Sequence, residues 1–215
     1  MLAPLWIGLI LVATVAAVGI GWRFASRRQS IPCPVWLGWM VELDNPFTST
    51  NRAATIVDHL ELRRGMRVLD VGCGPGRVTL PVARKIGPDG EVIAVDLQVG
   101  MLSRASERAR AANLKNIRFV QRAVGVDPLD IHDVDRALLV TVLGEIPDRE
   151  AALRAVFGAL KPGGFLSVTE IVFDPHYQRR STVTQLALAT GFQVKAFFGN
   201  RLAYTLHLSK PGTRG

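Results

Sequence analysis

Met66-Arg67-Val68-Leu69-Asp70-Val71-Gly72-Cys73-Gly74-Pro75-Gly76 is the stretch around which the 215-residue chain is organised. Three apolar residues, Val68, Leu69 and Val71, run into a segment with glycine at positions 72, 74 and 76. This pattern reads as a buried strand entering a glycine turn. Glycine there admits positive φ and lets a ligand approach the backbone closely. A second apolar run, Val92-Ile93-Ala94-Val95, ends in Asp96, 24 residues after Gly72. A glycine turn followed about 20 residues later by a carboxylate is a layout that holds a nucleoside, with the carboxylate on the ribose hydroxyls.

The spacing says which nucleoside. A dinucleotide turn has the form G-x-G-x-x-G and carries pyrophosphate on a helix N-terminus. Here the glycines are spaced G-x-G-x-G, and Arg77 stands where the third glycine of that form belongs. Asp70, directly before the turn, disfavours pyrophosphate and suits a cationic ligand. The stretch resembles motif I of the class I S-adenosylmethionine-dependent methyltransferases. The resemblance extends over residues 50–209 and includes Leu160-Lys161-Pro162-Gly163-Gly164, similar to that family's turn into its fifth strand.

The resemblance implies a Rossmann-like α/β fold: a seven-stranded, mostly parallel sheet with helices on both faces and a C-terminal antiparallel hairpin. It also implies S-adenosylmethionine as cofactor and direct methyl transfer to an acceptor, without a protein nucleophile. Gly72, Cys73, Gly74 and Gly76 would cradle the methionine portion, Asp70 would support its amino end and Asp96 would bind the ribose. Leu97 and Met101 could pack on the adenine, although core packing is the commoner fate of such residues. After the third strand the family usually carries an aspartate for the adenine amino group, and this chain has Arg122-Ala123-Val124-Gly125 instead. Either backbone groups around Ala123 and Val124 substitute, with Asp127 nearby, or packing alone holds the adenine.

Acceptor-side candidates lie at the carboxyl ends of later strands, where open α/β sheets bind ligands. Glu145 follows the fourth strand, Glu170 ends the fifth, and His176 and Tyr177 lie in the loop after it. Each has a plain alternative as a cap, a solvated loop group or a packing residue. A general base is needed only if the attacking atom carries a proton at working pH. No metal site is apparent: Cys33 and Cys73 lack zinc-ligand spacing, and two cysteines make no disulfide framework.

The remaining elements follow from periodicity and punctuation. Asn45-Pro46 suits a helix start, with Ala53, Ala54, Ile56, Val57 and Leu60 on an apolar face through Leu62. Helices are expected at 77–86, 99–112, 148–160 and 181–190, and strands at 117–121, 135–140, 165–171, 192–198 and 202–208. In the last strand, alternation puts Tyr204, Leu206 and Leu208 inward and His207 outward. His59 reads as a surface or helix-end residue.

The formal net charge of +8 favours an anionic partner surface, nucleic acid or membrane. Residues 2–22 contain no charged side chain, with Trp6 and Trp22 near the ends and Arg23, Arg27 and Arg28 following. At about 1.5 Å per residue, such a helix crosses a roughly 30 Å hydrocarbon core. The trailing arginines put the N-terminus outside and the remainder in the cytoplasm. The rival, a cleaved signal peptide, calls for a charged leading region and a shorter apolar run. Residues 30–43 are a second apolar piece, either an interfacial helix or a lid packed over the cofactor. The expected organisation is therefore a single-pass helix at 1–22, a basic linker and interfacial or lid helix at 23–44, and a methyltransferase domain at 45–215.

Between His176 and the C-terminus lie six basic residues and no acidic one, a solvated face or one that meets anionic headgroups. An anchored enzyme suggests a small-molecule or lipid-like acceptor that partitions into the cell membrane, similar to the quinone- and lipid-modifying branches of the family. The competing readings are a tethered module that binds the nucleoside without catalysis, supported by the missing aspartate, and a nucleic-acid methyltransferase. The latter is disfavoured because no aromatic-rich platform accompanies the basic residues. No protein partner can be inferred.

Overall fold

Seven strands form one sheet in the order β3-β2-β1-β4-β5-β7-β6. The structure is a computed structural model that describes residues 6, 8, 13, 14, 17, 21, 33–35, 38–44 and 48–212. In chain order the elements are α1 (Gly38–Val41), α2 (Ala53–His59), β1 (Arg67–Val71), α3 (Thr79–Ile86), β2 (Glu91–Asp96), α4 (Val99–Ala111), β3 (Ile117–Gln121), β4 (Val134–Val140), α5 (Arg149–Ala159), β5 (Leu160–Ile171), α6 (Arg180–Ala189), β6 (Gln193–Gly199) and β7 (Ala203–Ser209). β1 to β5 pair in parallel, and β7 runs antiparallel to both β5 and β6.

The central strands are largely apolar on both faces because helices cover both faces of the sheet. Period-two alternation then assigns each residue to one of two cores. Val68, Leu138 and Phe165 face α2 and α3, where they pack with Ile56, Leu60, Val82 and Ile86. Leu69, Leu139, Leu166 and Leu206 point the other way, toward Leu153 and Val156 of α5 and Val183 and Ala187 of α6. The fully buried leucines at the middle of these layers each contribute on the order of 2–5 kcal/mol relative to alanine.

The chain departs from β1 in one direction to β2 and β3, then returns to β4 on the other side of β1. The order therefore reverses between β1 and β4, and a crevice opens at their carboxyl ends. α5 is fixed at its start by Asp148, whose side chain accepts from the Ala151 amide at 2.8 Å, as an N-cap does.

Two sequence expectations are changed by the structure. His207 does not face outward but is fully buried. β7 is an inner strand, so both of its faces are covered; His207 stacks on Phe165 at 4.5 Å and meets Phe198 edge-on at 5.1 Å. His59 closes α2, as expected of a helix-end residue, and there it is half-buried and stacks on Phe198 at 4.0 Å. The fifth strand begins at Leu160, which pairs with Val134 before a register shift brings Phe165 opposite Arg136.

The proposed helix start at Asn45-Pro46 lies outside the described residues. α2 begins only at Ala53, whose amide is satisfied by Asp44 Oδ1 at 2.9 Å. The apolar run 2–22 also lies outside the described residues, apart from Trp6, Gly8, Ala13, Thr14, Ala17 and Gly21, which are helical and exposed. Among the described residues no helix is long and apolar enough to cross a membrane.

Candidate active site

The glycine turn follows β1 directly. The amides of Gly72 and Cys73 both donate to the Val95 carbonyl, at 2.7 and 3.0 Å, tying the turn to the end of β2. Gly72 and Gly74 take φ of +69° and +51°. A Cβ at Gly72 would collide with the side chain of Val142, which follows β4. Only glycine lets the ends of β1 and β4 close to this distance in this conformation.

Asp96 completes the turn. Its Oδ2 accepts from the Gly74 amide at 2.9 Å and its Oδ1 from the Gln98 amide at 2.8 Å. Both oxygens are thus fixed in place, and each keeps a lone pair for a further donor. Burial raises the pKa of this carboxyl, partly offset by those two amides and by the Leu97 amide.

Asp70 lies deeper. It is buried, accepts from the Thr79 hydroxyl at 2.6 Å and does not line the cavity. Burial raises its pKa to about 6. In the structure it ties the end of β1 to the first turn of α3.

A cavity of about 470 Å³ opens over these groups. Gly72, Gly74, Asp96, Leu97 and Met101 line one side, with Ala123 and Val124 beyond them. The turn after β3 explains how an aspartate can be missing there. Asp127 Oδ2 accepts from the Ala123 amide at 2.7 Å, so that amide is occupied within the turn, and Asp127 does not line the cavity. Arg122, Ala123, Val124 and Val126 are left as the wall of the cavity. Cys73 and Gly76 do not line it: the Cys73 side chain is buried beside Ala94 and Leu102, and Gly76 packs toward Leu80 and Ala105.

The opposite wall comes from the loops after β4 and β5. Glu145 ends a single 3₁₀ turn, Leu143–Glu145, held by Arg149, whose guanidinium donates to the carbonyls of Leu143 and Gly144, each at 3.2 Å. Gly144 packs against the His176 backbone so closely that a Cβ would overlap its carbonyl oxygen. The contact brings the two loops together and sets His176 Nδ1 3.8 Å from Glu145 Oε1 and 3.9 Å from Asp174 Oδ1. Burial pushes the Glu145 carboxyl up to about 8, reinforced by the nearby charges of Asp174 and Asp96 and opposed by a hydrogen bond from the Cys33 amide.

The other two acceptor-side candidates do not reach the cavity. Glu170 is buried behind it, with Oε2 accepting from the Gln178 amide at 3.0 Å and Oε1 without a partner. Burial raises its pKa to about 8. Tyr177 packs against the core and meets Tyr204 edge-on at 6.2 Å.

A strap from the N-terminal side crosses the cavity. Cys33, Pro34 and Val41 line it. Gln98 Nε2 donates to the Cys33 carbonyl at 2.9 Å and Arg104 Nη1 to that of Val35 at 3.3 Å. Farther along, Asp44 pairs with Arg77 at 2.8 Å. The 65-residue separation of Cys33 from Gln98 gives no sequence signal. Arg122, Val142 and Asp174 were likewise missed as lining residues; their position at strand ends was the only clue.

The cavity suits S-adenosylmethionine. Among the described residues its lining carries the carboxylates of Asp96 and Asp174 against the guanidinium of Arg122, with Glu145 protonated at neutral pH, a balance that favours a cationic ligand. Its remaining walls are mostly apolar, as an adenine slot requires. Among the described residues no cluster of three His, Cys, Asp or Glu side chains is arranged to hold a metal ion.

Comparison with known proteins bears on the family and the fold. A family profile described as a methyltransferase domain matches residues 62–201. The ubiquinone/menaquinone biosynthesis C-methyltransferase UbiE of Idiomarina loihiensis is 33% identical over 115 residues, covering 53% of this chain and 46% of the relative. The demethylmenaquinone methyltransferase of Staphylococcus carnosus is 33% identical over 129 residues, covering 57% and 53%. The chain thus spans about half the length of the curated relatives it matches. Among solved structures, a SAM-dependent methyltransferase from Aquifex aeolicus superposes with a TM-score of 0.72 at 19% identity, over 82% of this chain and 98% of that one. The [4+2]-cyclase SpnF superposes with a TM-score of 0.65, also at 19% identity, over 74% and 80%. At such identities the likeness concerns the fold.

Proposed function

Because the chain belongs to the methyltransferase-domain family, we propose that it moves a methyl group from S-adenosylmethionine to a small, membrane-partitioned acceptor of quinol or lipid-like character. S-adenosylmethionine is its cofactor. The observation that carries the reading is a single, largely apolar cavity with the glycine turn and Asp96 on one wall and Glu145 and His176 on the other. The names of the UbiE-type relatives support a quinone-class acceptor. The uncharged run at 2–22 supports its residence in the bilayer.

When bound, the cofactor supplies an electrophilic methyl group on a sulfonium centre. Gly72 and Gly74 allow the methionine portion to approach the backbone, and Asp96 receives the ribose hydroxyls. Leu97, Met101 and Val124 enclose the adenine by packing. On the acceptor wall, Glu145 has a pKa of about 8, matched to exchanging a proton with an acceptor hydroxyl near neutral pH. His176, beside it, orients that hydroxyl. Apolar walls exclude water, and positioning the two reactants supplies much of the rate.

A second reading has one feature in its favour. The fold also occurs in a protein named as a cyclase, so a nucleoside-binding module without methyl transfer is compatible with it. One experiment separates the two. Membranes containing the full chain are incubated with methyl-labelled S-adenosylmethionine, and the lipid extract is analysed by mass spectrometry. Label on a quinol or other lipophilic ring compound is expected. Cofactor binding without label transfer would establish the module instead, and label in nucleic acid would sink the acceptor class.

A further inference from the structure

Apolar side chains crowd the mouth of the cofactor cavity. Val126 and Leu97 line it, yet Val126 is 72% exposed and Leu97 about half exposed, which places them at the opening. Val35 follows the lining residue Pro34, and Phe173, 61% exposed, precedes the lining residue Asp174. Val99 begins α4 one residue after Gln98, which also lines the cavity, and is exposed. On α1, whose Val41 lines the cavity, Trp39 is 54% exposed. Isolated exposed apolar residues are ordinary. Each of these lines the cavity or stands within two residues of a lining residue, on four separate stretches of chain that meet around it, and an apolar patch assembled in this way marks an interaction surface.

The chain itself indicates what this rim meets. Cys33 stands on the cavity wall, and only residues 23–32 separate it from the uncharged run 2–22. Ten residues reach at most about 35 Å when extended, while the apolar run matches the roughly 30 Å hydrocarbon core. Arg23, Arg27 and Arg28 occupy the linker, where they complement anionic headgroups. We propose that the rim formed by Val35, Trp39, Val99, Val126 and Phe173 is a bilayer-docking surface, seated at the headgroup level, through which acceptor passes from lipid into the cavity. Trp39 is the side chain suited to that level. A second copy of the chain would cover the rim but would leave the adjoining apolar run without a role. The inference rests on the membrane-partitioned acceptor proposed above.

The test uses the full chain in vesicles of phosphatidylethanolamine and phosphatidylglycerol. Benzoylphenylalanine is placed at Trp39, Val99 or Phe173, with Lys115, at the opposite end of the sheet, as control. After irradiation, lipid adducts are expected at the three rim positions and not at Lys115. Absence of rim adducts, equal adducts at Lys115, or adducts to a second copy of the chain would each overturn the proposal. In parallel, the doubly substituted chain Val99→Glu, Phe173→Glu is assayed. Transfer to acceptor dissolved in vesicles should fall at least about tenfold, equivalent to about 1.4 kcal/mol, while transfer to a short-chain, water-soluble acceptor stays within about twofold. Equal loss on both acceptors would count against docking. Rim adducts without methylation of any lipophilic acceptor would remove the acceptor reading and leave the docking surface standing; methylation without rim adducts would do the reverse.

Discussion

Glu145 Oε1 and His176 Nδ1 stand 3.8 Å apart on the cavity wall proposed to face the acceptor, brought there by two loops that touch at Gly144. The Glu145 carboxyl, raised from 4.5 to about 8 by burial first and by Asp174 and Asp96 next, keeps its proton through neutral pH. If it takes a proton from the acceptor, the rate should climb as pH rises toward about 8 and then level off. Glu145→Gln should lower kcat by about 100- to 10,000-fold, erase that climb and leave S-adenosylhomocysteine affinity nearly unchanged. Asp174→Asn removes one of the raising charges, so it should move the inflection to lower pH. An inflection that survives in Glu145→Gln would assign the titration to another group.

The Asp96 oxygens proposed to receive the ribose hydroxyls are held in place by the Gly74 and Gln98 amides. Asp96→Ala should cost about 1.5–3 kcal/mol of cofactor affinity, the range for hydrogen bonds to a charged group. Calorimetry with S-adenosylhomocysteine measures this directly. NAD should not bind, because the turn offers G-x-G-x-G spacing above a buried carboxyl. Unchanged affinity in a folded Asp96→Ala protein would take this residue out of the site.

Gly72 should tolerate no side chain. Its φ of +69° is unfavourable for alanine, and the added Cβ meets Val142. Backbone strain of this kind costs about 1–3 kcal/mol, read as a lowered melting temperature, and cofactor binding should weaken with it. The double variant Gly72→Ala, Val142→Ala removes the collision but not the strain. It should therefore recover only part of the loss; full recovery would show that the collision alone mattered.

The sequence was legible where local pattern decides structure. β1, the glycine turn and Asp96 follow from apolar runs and their punctuation, and β3 falls on the expected residues 117–121. What stayed hidden depends on contacts between distant segments. Asp44 reaches Arg77 and the start of α2, and the Cys33 segment crosses the cavity to Gln98. Asp127 was visible as a possible substitute for the missing aspartate, but not its engagement with the Ala123 amide. Glu170 and Glu145 look equivalent in sequence, both acidic near strand ends. Only the course of the chain after β5 turns Glu170 away from the cavity and closes Gln178 over it. His207 failed for a related reason: alternation gives two faces, and does not say that both are covered.

His207 supplies a final test, of stability. It is fully buried, neither ring nitrogen has a partner, and Arg136 and Lys195 lie over the neighbouring Phe165 ring at 4.3 and 4.1 Å. Burial first, then the Lys195 charge, lowers its pKa from 6.5 to about 4. The unfolded chain therefore takes up a proton below about pH 6.5, which the native state refuses until about pH 4. Its contribution is fully present above pH 6.5 and is lost as pH falls through that window, by up to about 3 kcal/mol. Glu145 and Glu170 act with the opposite sign, since their raised values favour the native state at low pH and weaken it as pH rises from 4.5 toward 8. The total slope mixes these effects, so the useful quantity is a difference between two chains. His207→Leu removes the titrating ring and its two unpaired nitrogens, and at pH 7 its stability should lie within about 1 kcal/mol of the parent, because an apolar replacement of a buried polar group is nearly neutral. Between pH 7 and pH 4.5 the parent should lose about 2–3 kcal/mol relative to His207→Leu, measured by urea denaturation at each pH. Parallel stability curves for the two proteins across that range would mean that His207 is protonated as easily in the fold as in the unfolded chain.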